Sequence, residues 1–137
     1  MQANRRWRKR FGFTLIELLV VIMLIGILAS LAIARYHHLK DKSHVAAATY
    51  DLDLVRKMLA YYSVDWNSYP PTAASYQDLQ DQLIDSDGNS YGELPLSNSF
   101  EFVSYAIDAD GNFVVRVRAA DNGGTILRAT PDRIAVE

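Results

Sequence analysis

The sequence predicts an α+β fold in which a long N-terminal helix packs on a C-terminal antiparallel sheet. Three observations predict it. An apolar run fills residues 13–34, interrupted only by Thr14, Glu17, Gly26 and Ser30. Apolar residues then recur at helical spacing through Val45, Ala48, Leu52, Val55, Leu59 and Tyr62. Residues 99–107 and 113–119, rich in aromatic and β-branched side chains, flank the hairpin signal D108-A-D-G-N112.

The chain has 137 residues, half of them hydrophobic, which allows one modest domain plus a membrane segment. Its formal net charge of -2 conceals a strong asymmetry. Arg5, Arg6, Arg8, Lys9 and Arg10 crowd the first 12 residues, and the remaining 9 of the 14 Lys and Arg face all 16 Asp and Glu. A basic block directly before a hydrophobic span reads as a topology signal that keeps the N-terminus cytoplasmic, and no nucleic-acid partner is expected. With no cysteine, a disulfide framework, a thiolate metal site and a cysteine nucleophile are all excluded.

The apolar run of 22 residues spans roughly 33 Å as a helix, enough for a bilayer core of about 30 Å. One reading is a simple signal anchor. A cleaved secretory signal is another, because Ala32-Ile33-Ala34 has the A-x-A form. The run is longer than an ordinary h-region of roughly 7–15 residues, however, and it contains an acid. Glu17 favours a third reading. A carboxylate inside a membrane helix costs on the order of 3 kcal/mol and needs a partner, yet the span holds no basic residue. A cut after Gly12 would give Phe13 a free α-amino group one helical turn from Glu17. That amine could neutralise the Glu17 of an adjacent copy, and the cut would also release the basic cluster.

GFTLIELLVVIMLIGILASLAIA, residues 12–34, resembles the N-terminus of type IV pilins and type II secretion pseudopilins. The resemblance implies a basic leader over residues 1–12, removed by a prepilin peptidase after Gly12. It implies N-methylation of Phe13, a docking role in assembly for Glu17, and a helix that can loosen at Gly26. Family members often carry proline where this chain has Ala34, so the residue that breaks the helical ladder is missing there. The implied product is a structural subunit, the main one by its retained glutamate and compact size. It would sit in the bacterial inner membrane as a single-pass precursor, then join other copies in a helical filament through the pilus or secretion machine's assembly platform. A pilus is the first reading and a type II secretion pseudopilus the alternative. The lack of cysteine leans toward the latter, because many pilins close their C-terminal region with a disulfide. Outside the family, the chain would be a bitopic membrane protein with an extracytoplasmic binding domain.

The rest of the chain follows in order. Residues 35–66 continue the helix with an amphipathic face, and its tyrosines are read as packing residues. Trp66-Asn67-Ser68-Tyr69-Pro70-Pro71 ends it near Asn67, since tandem proline excludes a regular helix. Residues 67–137 form the globular part: a connection with a short helix around residues 76–84, a turn over residues 85–92, and the strands. In residues 113–119, Phe113, Val115 and Val117 alternate with Val114, Arg116 and Arg118, so one face is expected to be buried. Asn122-Gly123-Gly124 turns the chain into a further strand at residues 125–129.

Two Asp-rich turns invite a calcium reading. With Gly88 or Gly111 at position 6 of an EF-hand loop, Asp85 and Asp87, or Asp108 and Asp110, fall at positions 3 and 5. Leu83 and Ala106 then occupy position 1, which calls for an oxygen ligand, so turn chemistry explains these residues more simply. His37, His38 and His44 cluster beyond the span, but adjacent residues cannot share a helix face, and solvated or interfacial histidines are expected. No nucleophile motif or phosphate loop occurs, and an enzyme is not expected.

Overall fold

The structure, a computed structural model, describes residues 12–95 and 98–137, without the side chain of Ala34. The basic cluster from Arg5 to Arg10 lies outside the described residues. Six elements follow in order: α1 (Leu15–Trp66), α2 (Tyr76–Gln82), β1 (Phe100–Ile107), β2 (Phe113–Ala119), β3 (Ile126–Ala129) and β4 (Ile134–Val136). The chain divides into two compact units, residues 1–37 and 38–137.

In the first unit, α1 is helical from Leu15 and continues through Gly26 and the backbone of Ala34. Its hydrophobic side chains are exposed throughout, from Leu15 to Ile33, and none of its membrane-length stretch is buried by the chain itself.

The second unit is built on the remainder of α1. Ala48, Leu52, Val55 and Leu59 are completely buried there, with Val45, Met58 and Tyr62 packed beside them. The expected stripe is thus the face that meets the sheet. The helix ends at Trp66, where Asn67 takes a left-handed φ of 51°, a conformation asparagine tolerates at a helix C-terminus. Of the two prolines that follow, Pro70 is buried and Pro71 exposed, and the buried Tyr105 hydroxyl donates to the Pro70 carbonyl at 2.8 Å. Burial pushes the Tyr105 phenol well above its ordinary value.

The sheet is an antiparallel meander in the order β1-β2-β3-β4. Its buried face carries Tyr105, Phe113, Val115, Val117, Ala119, Leu127 and Ala129, which join the α1 stripe in one core. Val114 is buried as well, which strict alternation does not predict. The register of β1 against β2 slips between Phe102 and Ser104, leaving Val103 as an exposed bulge. The sequence did not announce β4. Three residues are too few to show an alternation, and the strand exists because the turn Thr130-Pro131-Asp132-Arg133 folds it back onto β3, with Thr130 N–H donating to the Arg133 carbonyl at 2.9 Å.

Between helix and sheet, α2 starts at Ser75, whose hydroxyl accepts from the Asp78 N–H at 3.0 Å. Gln80 on α2 holds the returning chain with both ends of its amide: the nitrogen donates to the Gly92 carbonyl at 2.9 Å and the oxygen accepts from the Leu94 N–H. Ser99, at the entry to β1, donates to Asp51 of α1 at 2.6 Å.

Candidate functional site

The residues singled out by the sequence pattern meet at the start of α1. Gly12, Phe13 and Thr14 precede the first helical residue, and the Phe13 side chain is 82% exposed. Thr14 and Glu17 cap the helix reciprocally. The Glu17 N–H donates to Thr14 Oγ1 at 3.3 Å, while Glu17 Oε2 faces the Thr14 N–H at 3.4 Å and the Thr14 hydroxyl at 3.3 Å. The first helical hydrogen bond runs from the Leu18 N–H to the Thr14 carbonyl at 3.2 Å. This is a capping box, Thr-x-x-Glu, which satisfies amide donors that would otherwise be orphaned and sets a carboxylate at the positive pole of the helix. Thr14 is the functional residue that the sequence analysis passed over, although T14-L-I-E17 before an apolar run is the motif's signature. Glu17 therefore has a local partner within its own chain, besides the neighbouring amine expected for it.

The glycines have no such local explanation. A Cβ at Gly12 or Gly26 would meet nothing within 4 Å, and neither residue has the left-handed backbone that excludes other side chains. Gly26 sits inside α1, where glycine costs about 1 kcal/mol relative to alanine.

The calcium candidates belong to a loop design that recurs three times. In residues 85–89, 108–112 and 121–125, an Asp stands first and a glycine with φ of 83°, 82° or 60° stands fourth. The N–H of the fifth residue donates to the Asp Oδ1 at 2.8, 2.9 and 2.8 Å. The glycine N–H donates to the Asp carbonyl at 3.1 Å in all three. Asp85 and Asp108 also accept from the N–H of Asp87 and Asp110. These bonds from Asn89 hold the Asp85 carboxyl below the ordinary range, and those from Thr125 do the same for Asp121. The leading carboxylates thus close their own loops. Among the described residues, no three His, Cys, Asp or Glu side chains come together in a group that could hold a metal ion. His37 lies edge-on to Tyr36, with ring centres 6.1 Å apart.

Residues 7–33 match the family model of the prokaryotic N-terminal methylation motif. The type II secretion system core protein G of Escherichia coli K12 is 32% identical over 129 residues, covering 90% of this chain and 83% of that protein. The chain belongs to the type II secretion system core protein G family. The core protein G of Vibrio cholerae is 30% identical over 73% of this chain and 75% of its own, and that of Pseudomonas aeruginosa 28% identical over 76% and 87%. No solved structure matches the chain at a significant level. Membership in the core protein G family places the chain in the pilin-like superfamily that its first helix resembles. Of the two systems left open by that resemblance, the relatives carry the name of the secretion component, which favours the runner-up over the pilus subunit put first. By length and composition α1 is able to cross a membrane, in keeping with anchoring before assembly.

Proposed function

We propose that the chain is the precursor of a type II secretion pseudopilin, a structural subunit that polymerises through its apolar helix. A prepilin peptidase cuts between Gly12 and Phe13 and methylates the new amino group. The assembly platform in the inner membrane then extracts the subunit, and Glu17 docks against the N-terminus of a neighbouring copy. The observation that carries this reading is the junction at residues 12–17: a glycine without a structural reason of its own, an exposed Phe13 outside the helix, and a carboxylate held at the helix start. Glu17 is already ordered by Thr14 and can exchange that weak contact for a charged amine without rebuilding the backbone. Gly26 supplies a place where the helix loosens under packing. The same apolar residues that face lipid in the precursor face other copies in the filament.

N-terminal sequencing and intact mass of the protein from cells with an active prepilin peptidase test this reading. The expected product begins at N-methylated Phe13; a mature chain that still begins at residue 1 or 2 would refute it. Glu17→Ala should be cut normally but fail to enter filaments, and normal filaments from that variant would remove the docking role.

A further inference from the structure

Asn122-Gly123 is the only asparagine followed by glycine in the sequence, and both residues are exposed in the loop between β2 and β3. That loop is the last of the Asp-x-x-Gly-x turns, and the asparagine stands second in it. In the two earlier turns, Asn89 and Asn112 stand fifth and precede Ser90 and Phe113. Their backbone N–H groups close the turn on Asp85 and Asp108 at 2.8 and 2.9 Å. Thr125 closes the last turn on Asp121, through its N–H at 2.8 Å and its hydroxyl at 2.7 Å. Asn122 is free of that task and reaches α1 instead. Its backbone N–H donates to Asp41 Oδ1 at 3.2 Å and its side-chain Nδ2 to Asp41 Oδ2 at 3.4 Å. The two bonds pin the loop to the helix within the second unit.

The side-chain bond is long, so it does little to hold the Asn122 amide away from the following residue. The turn also demands glycine there, since a Cβ at position 123 would stand 3.1 Å from Asp121 Oδ2. The fold therefore sets beside Asn122 the residue type whose backbone nitrogen no side chain shields.

We infer that Asn122 is a deamidation site and that its conversion unpins the loop from α1. The Gly123 backbone nitrogen attacks Asn122 Cγ. A new N–C bond closes a succinimide ring as the Cγ–Nδ2 bond breaks, and Nδ2 leaves as ammonia with the Gly123 amide proton. Water then opens the ring at either carbonyl, giving aspartate or isoaspartate. One water enters and one ammonia leaves, with no oxidant, reductant or second protein; this lability is why asparagine counts among the thermolabile residues. The product sets a carboxylate, which only accepts, where an amide donated to Asp41. Asp41 has no ion pair among the described residues, so two like charges face each other across the former pin. Isoaspartate also lengthens the backbone of the turn by one carbon. The pinned loop lasts only as long as the amide, and an aged subunit differs from a fresh one where sheet meets helix. The conversion is independent of the proposed assembly role.

Peptide mapping by mass spectrometry tests the site on the folded full-length chain in detergent, held at mildly alkaline pH and physiological temperature. A gain of about 1 Da is expected on the peptide holding Asn122. It should accumulate about tenfold faster than on the peptides holding Asn89 or Asn112, and Asn122→Gln should abolish it. No gain at Asn122, or a gain seen only after denaturation, overturns the site. Asn122→Asp then reads the consequence directly. Amide exchange over residues 122–125 should quicken about tenfold in that variant. Adding Asp41→Asn puts a donor opposite the new carboxylate and should return exchange to within about twofold of wild type. Unchanged exchange in Asn122→Asp, or a loss that Asp41→Asn does not reverse, overturns the unpinning.

Discussion

The two halves of α1 use similar residues to opposite ends. From Leu15 to Ile33 every large hydrophobic side chain is exposed, whereas from Ala48 to Leu59 one stripe is wholly buried. The difference lies in the other faces of the helix. The second half interleaves its stripe with Asp51, Asp53, Arg56 and Lys57, so a single face is apolar and one sheet covers it. The first half is apolar on all sides, and no single layer of its own chain could cover it. Its cover must come from lipid or from other copies. One half is covered by folding; under the proposed function the other is covered by lipid and then by assembly.

The largest expected effect separates them directly. Leu52→Ala opens a cavity in the core and should cost about 3 kcal/mol in denaturant unfolding of the chain in detergent. Leu18→Ala, in the exposed half, should leave that transition unmoved; a comparable loss there would erase the distinction. Next comes the capping box. Thr14→Ala should weaken the start of α1 by about 1 kcal/mol, read as faster amide exchange at residues 15–18, with the transition of the second unit unchanged.

Acid should act on the loops of the second unit. Hydrogen bonds depress the folded-state pKa of Asp85 and Asp121, so each contributes stability that is full above the unfolded value of about 3.9. That contribution is lost as pH falls through the lower folded value. The midpoint of thermal unfolding should therefore drop below about pH 4, and Asp121→Asn should flatten the drop. An identical acid profile for the variant would show that this loop closure does not matter. The smallest effect belongs to the solvent-facing side of the sheet. Arg118 pairs with Glu101 at 2.9 Å, but both are at least half exposed, so Arg118→Ala should change stability by less than about 0.5 kcal/mol.

Much of this was legible in the residues. Val45, Ala48, Leu52, Val55, Leu59 and Tyr62 announced the buried face of α1, because helical periodicity reports where one face is covered. Phe113, Val115 and Val117 announced β2 by the same logic at period two. Gly12, Phe13 and Glu17 stood out because their chemistry conflicts with a plain membrane helix. Other features escaped for identifiable reasons. The role of Thr14 was not legible from hydropathy or charge, because an uncharged residue at the edge of an apolar run shows its capping function only once the helix start is placed. The Asp-x-x-Gly-x loops were legible as turns, but spacing alone does not say which backbone donors each Asp oxygen accepts from.

The sequence by itself determined the cut site motif, the membrane-length helix, the amphipathic change along it and the strands that cover its second half. These depend on residue type and near-neighbour spacing, where one face or one turn is the unit of information. Only the tertiary structure decided that three residues at the C-terminus join the sheet as β4 and that Gln80 clamps the returning chain. Each of those facts requires residues far apart in the chain to be brought together by a shared core, and no local pattern carries that distance.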